Sequence, residues 1–227
     1  MKYRKYIFLL AIFLLVGFFF FSRSVRSGVW NVRDIVFTTK LQNTIDNSTH
    51  LRAASFIDNL MEGSTFFASP ELSTVIIIII TFISVINIKE KKFRLRGLLI
   101  PLLFFLLVMG EIYGKTVVHH PSPPFSMIKH PISVFPDNYI NEQFSYPSGH
   151  AARAVFMAIC IYSLFMIRNS QFVLKNKLYT RIFVIALLIL YVGLVSLSRV
   201  YLGHHWLTDI IGGILLALGF GLFVIYK

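Results

Sequence analysis

Residues 182–226 read IFVIALLILYVGLVSLSRVYLGHHWLTDIIGGILLALGFGLFVIY. Two apolar runs, 182–201 and 205–226, each come close to or reach the roughly 20 residues that a helix needs to cross a bilayer. Between them and just inside them lie Ser198, Arg199, His204, His205 and Asp209. Ionisable groups are costly within a membrane helix, and by default they mark function. Four similar stretches precede these two, at 6–21, 73–88, 98–115 and 148–167. The five isoleucines at 76–80 could read as a buried strand. Their apolar stretch is too long for that, and a lone strand cannot cross a bilayer with its backbone satisfied, so helix is the expectation.

These stretches predict an all-α integral membrane six-helix bundle, one domain over residues 1–227. Composition agrees. Hydrophobic residues make up 56% and charged residues 14%, with a mean hydropathy of +0.71. A soluble domain carries about 25% charged residues, so this chain has too few to cover a surface facing water. Cys160, the single cysteine, excludes an intrachain disulfide and a thiolate-ligated metal site. The first stretch follows Lys2, Arg4 and Lys5 as a signal peptide would. No small-residue cleavage site follows Phe21, so an uncleaved anchor is expected.

The net charge of +12 raises the question of nucleic acid. The distribution of the charges answers it. With the N-terminus inside, the inner segments hold thirteen basic residues against one acid, Glu90, whereas the outer segment 22–72 holds five of each. The basic excess is thus a topology signal that places both termini in the cytoplasm, and not a nucleic-acid stripe. Within 28–66, Trp30, Val32, Ile35, Leu41, Phe56 and Leu60 alternate with polar residues, which predicts one or two amphipathic helices in the interface. Residues 116–147 carry Pro121, Pro123, Pro124, Pro131 and Pro136 among aromatics and predict an irregular outer segment. Asn47-Ser48-Thr49 fits a glycosylation acceptor but is too short a pattern to decide anything.

On this topology the unusual polar residues meet at the outer face. Lys115 ends the third stretch, Ser148-Gly149-His150 opens the fourth, Ser198-Arg199 ends the fifth, and His205 with Asp209 opens the sixth. Phosphoryl transfer needs positive charge, N–H donors, a nucleophile and a proton for the leaving oxygen. Lys115 and Arg199 supply charge, and a helix start at Ser148 and Gly149 supplies N–H groups. His205 and Asp209, at i and i+4, share a helix face on which a carboxylate can orient a nucleophilic imidazole. His150 remains as general acid and then base. Taken singly, each has a plainer reading: a structural histidine–aspartate pair, an ordinary helix start, snorkelling Lys115 and Arg199, interfacial His204 and His205 beside Trp206. Their joint placement favours the chemical one.

Pro147-Ser148-Gly149-His150 and Ser198-Arg199-x5-His205-x3-Asp209 resemble the second and third signature motifs of the type 2 phosphatidic acid phosphatase superfamily. The resemblance extends to the six-helix layout. It implies a phosphohistidine at His205 oriented by Asp209, His150 as the acid, phosphate held by Lys115, Ser148, Gly149 and Arg199, and no metal or other cofactor. The family's first motif, Lys-x6-Arg-Pro, here reads Lys115-x6-Ser122-Pro123, so one cation of the phosphate cage is missing. His119, His120 or Lys129 could replace it in part. Arg153 is a further auxiliary candidate. By rise per residue Arg153 and Glu111 lie at similar depth, which predicts an ion pair rather than direct phosphate contact.

The function expected from all this is a lipid phosphate or pyrophosphate phosphatase with its site on the outer face, most simply of a bacterial plasma membrane. Undecaprenyl pyrophosphate, phosphatidylglycerol phosphate and phosphatidic acid are candidate substrates, and by analogy the small size and single domain slightly favour the polyprenyl one. Alternatives are a lipid phosphotransferase using the same intermediate, haloperoxidase chemistry, which the membrane spans disfavour, and a non-catalytic lipid-binding member.

Overall fold

The computed structural model describes residues 2–48, 51–87, 92–93, 95–129, 143–164 and 177–225. Several of the basic residues expected inside, Lys89 and Arg168 among them, lie outside these, as do Thr49, Pro131 and Pro136. The described chain is helical apart from loops and a two-residue hairpin, Ile86–Asn87 with Lys92–Phe93. Its helices are α1 (Lys2–Arg26), α2 (Asn31–Ser48), α3 (Leu51–Phe66), α4 (Pro70–Val85), α5 (Leu99–Val118), α6 (Gly149–Tyr162), α7 (Lys177–Tyr201) and α8 (Leu207–Ile225).

Each of the six apolar stretches falls on a helix, and among the described residues α2 and α3 within 28–66 bring the number to eight. Four helices are individually long and apolar enough to span: α1, α5 extended by the turn before it, α7 and α8. α3 and α4 together pass as one span bent by 50°. α6 is shorter over its described residues. The isoleucine run is helical, as expected. Ser69 caps α4 by accepting the Leu72 N–H at 3.3 Å, and Pro70 stands where a missing N–H costs nothing.

α7 exposes Ile182, Phe183, Ile189 and Leu190, the first at 55%. An apolar helix with such a bare face needs lipid around it, and the chain is an integral membrane protein. α8 is its opposite. It packs between α1 and α6 through small residues: a Cβ at Gly219 would strike Leu15 of α1, and one at Gly213 would strike the Ser148 carbonyl at the start of α6. That close approach brings the first turns of α6 and α8 together, and Ser148 N–H donates to the Asp209 carbonyl at 2.9 Å. Phe104, Phe156 and Leu107 fill the core below, with Cys160 buried among them as a packing residue.

Candidate active site

A cavity of about 210 Å³ opens where α5, α6 and the α7–α8 connection meet. Lys115, Gly149, His150, Arg153, Arg199 and His205 all line it, so helix ends far apart in sequence converge as expected. Ser148 and Asp209 stand behind the wall. Ser148 is the N-cap of α6, its hydroxyl turned to the Ala151 N–H at 3.5 Å. Its cap leaves other N–H groups of the first turn available at the positive end of the helix dipole.

The seam between α7 and α8 is built locally. His204 N–H and His205 N–H both donate to the Arg199 carbonyl, at 3.0 and 3.1 Å. Gly203, at φ +75°, makes this return possible, and a Cβ there would also collide with the Met127 carbonyl. Arg199 and His205 are thereby fixed on one rim. His205 Nδ1 lies 3.4 Å from Asp209 Oδ2, which leaves Nε2 for chemistry. Asp209 Oδ2 also accepts the Trp206 N–H at 2.9 Å, the reciprocal half of a helix capping box. His205 sits in the turn ahead of α8, outside the spanning segment. Burial holds its imidazole below the ordinary histidine range, opposed in part by the Asp209 carboxylate.

Glu111 and Arg153 do pair. Arg153 Nη1 donates to Glu111 Oε2 at 2.7 Å, and Arg153 Nε donates to the Ala68 carbonyl at 3.0 Å. Lys115 Nζ stands 3.5 Å from the other Glu111 oxygen. A Cβ on Gly149 would run into this carboxylate, so glycine there lets α6 start directly over the pair. The cavity wall thus holds three cations and one acid, and Arg153 reaches it while bound to Glu111.

The suggested replacements for the first-motif arginine come out differently. Ser122 lines the cavity, but His119 and His120 do not. The His119 ring packs on Phe144 with centroids 4.7 Å apart, whereas His120 is buried against Asp209. Lys129 is engaged by Asp46 and lies over the Tyr201 ring. These positions correct the expectation that His119, His120 or Lys129 substitutes for the arginine: none of the three lines the cavity. Sequence reading missed Asp34 and Thr208, which are bonded to each other behind the site. Nothing local marks them, since an acid in the first turn of an amphipathic helix reads as a solvated residue.

The profile of the PAP2 superfamily matches residues 94–227, more than half of the chain. The chain belongs to that superfamily. Phosphatidylglycerophosphatase B of Bacillus subtilis (strain 168) is 33% identical over 133 residues, which are 55% of this chain and 56% of that protein. The chain therefore matches little more than half the length of this curated relative. Among solved structures, a transmembrane PAP2-type phosphatidylglycerolphosphate phosphatase from Bacillus subtilis superposes with a TM-score of 0.70 at 22% identity, covering 95% of this chain and 94% of that one. Aquifex aeolicus LpxE gives 0.55 at 20% identity, over 86% and 95%. At these identities the two structures speak for the fold.

Proposed function

We propose that the chain removes phosphate from a lipid headgroup at the outer membrane face. The observation that carries this reading is the single cavity on which Lys115, Arg199, His150, His205 and the first turn of α6 converge. In this reading His205 Nε2 attacks phosphorus while His150 protonates the departing lipid oxygen, breaking the P–O bond. Water, deprotonated by His150, then attacks the phosphohistidine, the P–N bond breaks and phosphate leaves. Asp209 stabilises the imidazolium formed in between, and Lys115, Arg199 and the N–H groups of α6 hold the equatorial oxygens. The wall at the outer helix ends suits a substrate whose tail stays in the bilayer. The bias of the loop charges supports that face lying outside with both termini in the cytoplasm, and the amphipathic pattern of 28–66 supports α2 and α3 lying in the interface.

Phosphatidylglycerol phosphate is the first substrate to try, because the curated relative is named for it, ahead of undecaprenyl pyrophosphate and phosphatidic acid. The test is phosphate release in detergent, without added metal, by wild type and His205→Ala. Release from a lipid, reduced about 10³-fold or more in the variant, is the expected result. Folded wild type that releases phosphate from none of the three lipids would break the reading, and label passed to a second lipid would move it to phosphotransfer.

A further inference from the structure

Both oxygens of Asp209 are committed, and only one of them serves His205. Oδ1 meets a second histidine, His120, whose Nδ1 lies 2.9 Å away. An ionised carboxylate can only accept, so the proton between them belongs to His120 Nδ1. On the far side of that ring, His120 Nε2 faces Asp34 Oδ2 at 3.9 Å. Asp34 comes from α2, 175 positions before Asp209, and it grips the residue next to Asp209. Its Oδ1 accepts the Thr208 N–H at 3.1 Å and its Oδ2 accepts the Thr208 hydroxyl at 2.6 Å. The Thr208 N–H is one of the orphan donors at the start of α8, so Asp34 caps that helix from another element. Asp34, His120 and Thr208 are exposed by 3% or less, and Asp209 not at all. Burying two carboxylates and an imidazole this deeply is costly unless each is held by partners, and here each is.

The geometry points to His120 and Asp34 as positioning residues for the reaction at His205, forming a buried chain His205–Asp209–His120–Asp34. His120 occupies Oδ1 and so presents Oδ2 to His205, while Asp34 fixes Thr208 by backbone and side chain. Neither residue lines the cavity, so their work is done through Asp209 and not on the substrate. This inference rests on the reading of His205 as nucleophile. It explains why α2, outside the superfamily match, is stitched to the first turn of α8.

The donor position makes the test sharp. In His120→Asn the amide nitrogen falls near the place of Nδ1, whereas in His120→Gln it falls near that of Nε2. Steady-state phosphate release from phosphatidylglycerol phosphate in detergent gives kcat and KM for wild type, His120→Asn, His120→Gln and His120→Ala. His120→Asn is expected to keep kcat within about threefold of wild type. His120→Gln and His120→Ala are expected to lose about tenfold to a hundredfold in kcat with KM changed less than about twofold, the scale seen when a partner of a functional group is removed. Equal kcat for His120→Asn and His120→Gln, or a loss that falls on KM, overturns the inference even if His120→Ala fails to fold. Wild-type turnover that is abolished by His205→Ala tests the phosphatase reading separately, so equal rates against that active background defeat only the role of His120.

Discussion

The two connections that build the cavity wall are made in different ways. Between α7 and α8, Arg199, His205 and Asp209 lie within eleven residues and are tied by their own backbone bonds. Between α5 and α6, Lys115 and Ser148 are separated by 32 residues, and the described part of the intervening segment is held by distant parts of the chain. Gln42 of α2 donates to the Met127 and Tyr201 carbonyls at 2.8 and 2.9 Å, Lys129 N–H donates to the Leu202 carbonyl at 3.2 Å, and Trp206 Nε1 donates to the Pro121 carbonyl at 2.7 Å. The first connection is a local device tied by its own backbone, and it carries Arg199 and His205, two of the groups proposed to act on phosphate. The second is a strap whose placement depends on α2 and on the end of α7, and it carries the position where the family's arginine has become Ser122.

The largest effect should come from breaking the local device. Arg199→Ala removes a fixed cation from the wall, and kcat/KM is expected to fall about 10²–10³-fold, as when one preorganised oxyanion donor is lost. Steady-state phosphate release checks this. An effect on the scale of a strap residue would mean that the two connections do not differ as described.

Next comes the ion pair beneath the wall. Arg153 and Glu111 are 5% and 8% exposed, and removing Arg153 leaves the buried Glu111 carboxylate with only the longer Lys115 contact against its charge. Arg153→Ala is expected to destabilise the fold by about 3 kcal/mol, and Glu111→Gln combined with Arg153→Gln to recover most of that. Thermal unfolding in detergent measures both. Wild-type stability in the single variant would show that the pair is not structural.

On the strap side, Ser122→Arg restores a cation to a position that already lines the cavity. KM for the lipid phosphate is expected to drop about tenfold, about 1.4 kcal/mol, as for one charge-assisted hydrogen bond. No change in KM would place Ser122 beyond reach of the phosphate. The smallest effect belongs to Lys129→Ala. Its partner Asp46 is largely exposed and such pairs contribute between 0 and about 1 kcal/mol, so stability should barely move while the strap loosens and KM rises about twofold. A collapse in stability would make the strap as rigid as the α7–α8 seam.

The same contrast explains what could be read in advance. Arg199, His205 and Asp209 were legible because helical periodicity and the dipole at a helix start act over a few residues. The Glu111–Arg153 pair was legible because depth in a bilayer follows from rise per residue, and charges at equal depth in apolar helices need each other. His120 was misplaced. Beside Lys115 in sequence it looked like a substitute for the missing arginine, yet His119 takes a left-handed conformation at φ 53° that ends α5, and His120 lies buried behind Asp209. Asp34 left no trace at all, since the residue it bonds, Thr208, lies 174 positions away.

The sequence by itself determined that the chain is a membrane helix bundle and that its polar groups gather at one face. Those properties depend on hydropathy, charge bias and helical period, which are sums over neighbouring residues. Only the tertiary structure decided that Ser148 caps α6 and stays out of the wall, that Asp34 of α2 is bonded to Thr208, and that Asp209 lies against two histidines. Those outcomes depend on which distant side chains satisfy a buried polar atom, and a buried hydrogen bond is set by three-dimensional distance, which chain position does not encode.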